Sequence, residues 1–203
     1  MASIPKIAAN SMILPIYVYG MPVLRTPTED VTENSEALQT LIDDMIETMH
    51  NAAGIGLAAP QVGRTERLFV VDLSPLAEEL AEEGQTLPPQ PMAFLNPEII
   101  DESETESEFE EGCLSIPDVR EDVWRPERIR IRFLDRDFRP QELSLSGMIA
   151  RVVQHEYDHL EGVLFVDHIS PFRRRLLRRR LREMARGLVE AEYPIVTAES
   201  ETA

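Results

Sequence analysis

The chain has 203 residues, 43% hydrophobic and 28% charged, with 37 acidic against 20 basic side chains and a formal net charge of −17. That length is enough for one domain with a full core, and no apolar run approaches the roughly 18–20 residues that span a bilayer; so negative a balance argues against broad adhesion to DNA, RNA or anionic lipid. A single cysteine, Cys113, excludes an internal disulfide, and an N-terminal stretch broken by Pro15 without a cleavage signature leads to an expected cytoplasmic location, with no membrane or DNA partner.

In chain order, residues 16–19 (IYVY) are β-prone. Leu38, Leu41, Ile42, Met45, Ile46 and Met49 then recur at helical spacing, with Asn34 or Ser35 as N-cap and Gly54 beyond the end, which predicts an amphipathic helix. Residues 67–73 (RLFVVDL) predict a buried strand, and 73–91 an acidic, proline-rich loop. The segment 92–101 is interrupted by Pro97. Glu102, Glu104, Glu106, Glu108 and Glu110 alternate with Ser, Thr and Phe, which predicts a strand with one carboxylate face. Alternation in 128–134 (RIRIRFL) and the run 141–146 (QELSLS) around the Asp135-Arg136-Asp137 turn predict hairpin partners. Residues 148–160 place Met148, Ile149, Val152, Val153 and Leu160 on one helical face, with Gly162 as the stop. Helices and strands without βαβ alternation indicate an α+β class.

The charge is unevenly spread. Residues 171–186 hold eight arginines and one acid, so that stretch is +7 and the remainder −24. On a helical projection Leu177, Leu181, Met184 and Leu188 form one stripe, while Arg175, Arg178, Arg179, Arg182 and Arg186 form another face. Such a face is either solvated and paired with the acidic body or bound to a polyanion. The expected organisation is a single catalytic domain over 1–203: a core over about 12–170, this helix over about 171–190, and an acidic tail, 191–203.

Chemistry concentrates at His155-Glu156-Tyr157-Asp158-His159. Two imidazoles at i and i+4 on a helix reach one divalent ion, and the intervening Glu156 lies beside it as a proton acceptor. Cys113, within 110–117 (EEGCLSIP), reads as a small buried hydrophobe, a redox thiol or a ligand; beside an HExxH helix it completes a three-ligand set that leaves a position for water. The run 54–63 (GIGLAAPQVG) is a glycine-rich turn or a place of close backbone approach by a ligand, with the Gln61 amide as a donor toward developing negative charge. His50 and His168 read as structural, since neither sits in a motif with partners.

In this order, GIGLAAPQVG, EGCLSIP and QHEYDHLEG resemble the three signature motifs of the peptide deformylase family, over about residues 12–175. The resemblance implies an α+β fold of mostly antiparallel strands around a central HExxH helix, with an N-terminal amphipathic helix and a C-terminal helix beside it. It implies a hydrolase that removes the N-formyl group from the initiator methionine of nascent chains and releases formate. Carried over by position, it makes Cys113, His155 and His159 the metal ligands and Glu156 the general acid/base. Gln61 and the backbone N–H of Leu114 become the oxyanion donors. Gly54, Ile55, Gly56 and Leu57 would pair with the substrate backbone together with Gly112, and Met148 and Val152 would wall a methionine pocket near Arg151. Fe2+ is the implied metal, with Zn2+, Ni2+ or Co2+ able to substitute; the residues alone suit zinc as readily. The arginine-rich helix would dock near the ribosomal exit tunnel. Segments 73–91 and the tail after Arg186 receive no catalytic part. Two rivals remain: an HExxH metallopeptidase, disfavoured by a Cys ligand, and a non-catalytic, ribosome-associated metal-binding module, which would need a fourth soft ligand.

Overall fold

A computed structural model describes residues 11–198, with an α+β architecture. The strands are β1 (Ile16–Tyr17), β2 (Gly56–Ala58), β3 (Leu68–Val71), β4 (Met92–Glu102), β5 (Glu106–Cys113), β6 (Ile116–Pro126), β7 (Arg128–Leu134), β8 (Pro140–Ser146) and β9 (Ile195–Val196). The α-helices are α1 (Glu36–Asn51), α2 (Ala77–Glu82), α3 (Gly147–Leu160) and α4 (Pro171–Met184). Strands β2-β3-β4-β7-β8 form an antiparallel sheet, β5 and β6 a separate antiparallel hairpin, and β1 and β9 a short parallel pair.

The uninterrupted apolar run of β3 has a simple cause: it is covered on both faces. Phe69 and Val71 join Phe94 and Phe133 in a cluster with Ile149, Val152 and Val153 of α3. Leu68 and Val70 point the other way and meet Leu38, Leu41, Ile42, Met45, Ile46 and Met49 of α1. Burying each such side chain contributes roughly 1.5–3 kcal/mol. Ser35 caps α1, its hydroxyl accepting from the Leu38 N–H at 3.2 Å. The third cluster seats Leu181 and Met184 of α4 against Val18, Ile116, Val119 and Val123.

Several expectations need correction. Segment 73–91 is not all loop: α2 forms because Leu76 and Leu80, four apart, dock on the α3 cluster. Pro97 does not end its strand, since β4 absorbs it in a register shift beside Asn96, whose φ is 48°. The acidic strand begins only at Glu106. Leu188 lies beyond the end of α4 and is exposed, so it leaves the apolar stripe. Strands β2, β6 and β9 were not anticipated. Residues 199–203 of the acidic tail lie outside the described residues.

Candidate metal centre

Helix α3 carries His155 and His159 one turn apart, with ring centroids 5.2 Å from each other. Cys113 ends β5 at a register shift of the β5–β6 hairpin, the kind of irregularity that re-aims a side chain. Its Sγ lies 3.2 Å from His159 Nε2. One ligand atom from each of Cys113, His155 and His159 lies within 4.8 Å of the others. His155 Nδ1 is 2.9 Å from Glu111 Oε2, which leaves Nε2 free for the centre. The electrostatics fit a cation here. Burial pushes the His155 pKa down, but Cys113 and Glu111 outweigh it and raise it well above the ordinary value. His159 is held well below its ordinary value by burial and by the neighbouring His155 charge. A sulfur and two imidazoles whose donor atoms lie this close form a set that suits a divalent metal of the zinc or ferrous type.

Behind these groups lies a network that the sequence reading missed. Glu111 receives Arg125 through Nε (2.7 Å) and Nη2 (3.0 Å), and Arg151 through Nη1 (2.8 Å), besides His155. Burial alone would raise the Glu111 pKa, yet hydrogen bonds from His155 and Arg125 hold it far below the usual carboxylate range. Arg125 also bonds Asp158 at 2.6 Å, and Asp158 takes His168 at 2.7 Å. His168 thus does have a partner in the HExxH segment, while His50 pairs with Asp72 at 2.8 Å. Arg151 turns its guanidinium to Glu111 and to the carbonyls of Val123 and Ser107 rather than into a pocket wall. A legible signal existed: Val119 and Val123 set an inward frame on β6 that puts Arg125 inside, and Arg125 is 4% exposed while Trp124 is 55% exposed.

Glu156 is also buried, at 4% exposure, and its Oε2 has no hydrogen-bond partner among the described residues. Burial raises its pKa to about 7. Gly56 is required beside it, since a Cβ there would overlap Glu156 Oε1. Gln61, in a 3-10 turn (Ala59–Val62), accepts the Ala58 N–H at 2.8 Å and points Nε2 at Ser115 Oγ (3.2 Å) and Cys113 Sγ (3.5 Å). Leu114 follows Cys113 directly, and its carbonyl accepts the Tyr193 hydroxyl at 2.7 Å. Burial, with the charges of Cys113 and Asp118, pushes the Tyr193 phenol up to about 12. Ile55, Met148 and Val152 share the apolar cluster of Phe69 and Phe94, and Leu57 lies in that of α1. Gly54 abuts Leu114, where a Cβ would come within 2.8 Å of Cδ1, and Gly112 faces Arg120 across the hairpin. A cavity of about 710 Å³ opens elsewhere, on the flank of α3 lined by Trp124, Gln154, Tyr157 and His168, without the three ligand residues.

Known proteins resemble this chain over most of its length. The family model described as polypeptide deformylase matches residues 13–175. A peptide deformylase of Salinibacter ruber is 70% identical over 191 residues, 94% of this chain and 98% of that protein. One of Christiangramia forsetii is 46% identical, covering 90% and 94%. Among solved structures, a Legionella pneumophila peptide deformylase has a TM-score of 0.73 at 40% identity, covering 84% of this chain and 94% of its own. An Ehrlichia chaffeensis peptide deformylase in complex with actinonin has a TM-score of 0.76 at 35% identity, covering 85% and 97%. With the signature motifs, the fold and relatives matched over nearly their full length, the chain belongs to the polypeptide deformylase family.

Proposed function

We propose that this chain is a metal-dependent hydrolase that removes the N-formyl group from the terminal methionine of newly synthesised polypeptides and releases formate. The observation that carries the reading is the convergence of Cys113, His155 and His159 beside buried Glu156, in a chain of this family. Cys113 Sγ and the Nε2 atoms of His155 and His159 would hold the metal, with Fe2+ as resident and Zn2+, Ni2+ or Co2+ as substitutes that the same soft donor set accepts. When bound, the metal supplies Lewis acidity that activates water at neutral pH.

The chain's own groups do the rest. Glu111, kept ionised by hydrogen bonds from His155 and Arg125, fixes the ring and tautomer of His155. Glu156 takes a proton from the attacking water at Oε2 and returns it to the leaving amine, a task suited to a carboxyl whose pKa is about 7. The Ala58 N–H orients the Gln61 amide, so Nε2 and the Leu114 N–H can donate to the oxygen that gains charge as the formyl carbon becomes tetrahedral. Gly54, Ile55, Gly56, Leu57 and Gly112 pair with the substrate backbone, and Ile55, Met148 and Val152 receive the methionine side chain. Helix α3 is the central helix of a single catalytic domain, α1 its N-terminal amphipathic helix, and α4 an appended cationic helix that docks near the ribosomal exit tunnel. The protein works in the cytoplasm. Among the described residues no helix is long and apolar enough to cross a membrane. The test is formate release from formyl-Met-Ala-Ser by metal-loaded protein beside a peptide with only internal bonds. Cleavage of the second but not the first would replace the reading with an endopeptidase.

A further inference from the structure

The family match ends at residue 175, yet the chain beyond it returns to the metal centre. After α4, β9 pairs with β1, Ile16 opposite Ile195 and Tyr17 opposite Val196. Backbone bonds from Ile16 N to Pro194 O (2.8 Å) and from Val18 N to Val196 O (3.1 Å) anchor the segment. This anchoring seats the half-buried Tyr193 in the same apolar cluster as Leu114, where its hydroxyl donates to the Leu114 carbonyl at 2.7 Å.

Leu114 and Ser115 are the two residues that turn β5 into β6. The turn is held from three sides. The Tyr19 N–H donates to the Ser115 carbonyl at 2.8 Å, Gln61 Nε2 donates to Ser115 Oγ at 3.2 Å, and Tyr193 holds Leu114 itself. Cys113, one residue earlier, is tied into the centre. The Cys113 sulfur on one side and the Leu114 carbonyl on the other are both held, which restrains the backbone that carries the Leu114 N–H between them.

We propose that Tyr193 is a positioning residue for deformylation: by holding the Leu114 carbonyl it presents the Leu114 N–H to the oxyanion, which makes the segment around β9 a working part of the site. This inference rests on the function proposed above. Removing an oxyanion donor outright costs about 10²–10³-fold in turnover. Loosening one by deleting a single supporting hydrogen bond costs less, about 3- to 10-fold.

The test is Tyr193→Phe in the full, metal-loaded chain, which keeps the ring and β9. The expected result is kcat lower by about 3- to 10-fold, KM for formyl-Met-Ala-Ser within about twofold, unchanged metal stoichiometry, and a melting temperature lower by no more than the roughly 2–4 °C that one lost hydrogen bond brings. Hydrogen exchange should quicken at the amides of residues 112–116 and nowhere else. Truncation after Glu190 should lose at least as much kcat. Unchanged kcat and exchange in Tyr193→Phe would overturn the proposal, as would a loss that follows metal content or melting temperature. If the unmodified chain releases no formate, the function reading fails and this role with it, whereas an active chain indifferent to Tyr193→Phe sinks this inference alone.

Discussion

Glu156 combines two environments that rarely coincide, full burial and a carboxylate oxygen with no partner among the described residues. Glu156→Gln should retain the metal, because the three donors are intact, and lose at least ~10²-fold in turnover; near-normal formate release would remove Glu156 from its role. The same burial has a pH signature in the metal-free protein. With its pKa raised from 4.5 to about 7, folded Glu156 keeps a proton that the unfolded chain gives up, so folding stability falls as pH rises across that window, by roughly 3 kcal/mol. Metal-free Glu156→Gln should therefore gain melting temperature over the unmodified protein at pH 8 but hardly at pH 4.5, and an equal difference at both would show that the carboxyl is ionised when folded. Glu111→Gln should act differently, weakening metal affinity about 10- to 100-fold in chelator competition, because it loosens the His155 orienter. The sequence displayed Cys113, His155, Glu156 and His159 because each belongs to a short motif with fixed spacing. Glu111 and Tyr193 act through contacts across 44 and 79 residues of chain, which no local pattern encodes, while Arg125, whose inward placement the alternation of β6 signals, acts on partners 14 and 33 residues away.

At the scale of elements, periodicity was readable where one face meets the core and the other meets water. The stripe of α1 and the alternation of β7 with β8 are such cases. Strand β2 is only three residues, wholly buried, and inside a run whose glycines read as a turn. Its glycine serves packing rather than flexibility: Gly56 leaves room for Glu156, so strand and helix together set the carboxyl. Gly56→Ala should fold with its metal but lose turnover to an extent approaching Glu156→Gln, since the Cβ displaces the Glu156 carboxyl. Unchanged turnover with full metal would mean that the carboxyl tolerates the shift and that its resting place is not its working place. Strand β1 lies in the β-prone run 16–19, but its partner β9 was illegible because a two-residue strand carries no pattern; their register comes from the docking of Tyr193 and the clusters beneath it.

For the whole molecule the question is what the +7 stretch does on a body of −24. The structure divides its arginines. Arg173 reaches Glu121 at 2.6 Å, Arg180 reaches Asp118 at 3.1 Å, Arg174 pairs with Asp167, and Arg179 with Glu183. These pairs fasten α4 to the body or to itself, and surface pairs of this kind contribute little energy. Arg175, Arg178, Arg182 and Arg186 are exposed and form no ion pair with a described residue. Exposed Phe172 and Leu176 lie on the same helix. A cationic face left open beside apolar side chains fits a phosphate backbone, where each phosphate neutralised releases counterions and makes binding fall steeply with salt. Cosedimentation with ribosomes should weaken as salt rises, and glutamate at Arg175, Arg178 and Arg182 should abolish it, or reduce its salt slope by about one for each arginine withdrawn from a phosphate. Deformylation of a short formyl-peptide should stay intact in that variant, because the substituted side chains take no part in holding α4 to the body. Binding that ignores salt, or that survives the three reversals, would leave α4 as a cap over Val18, Ile116 and Val123 and nothing more.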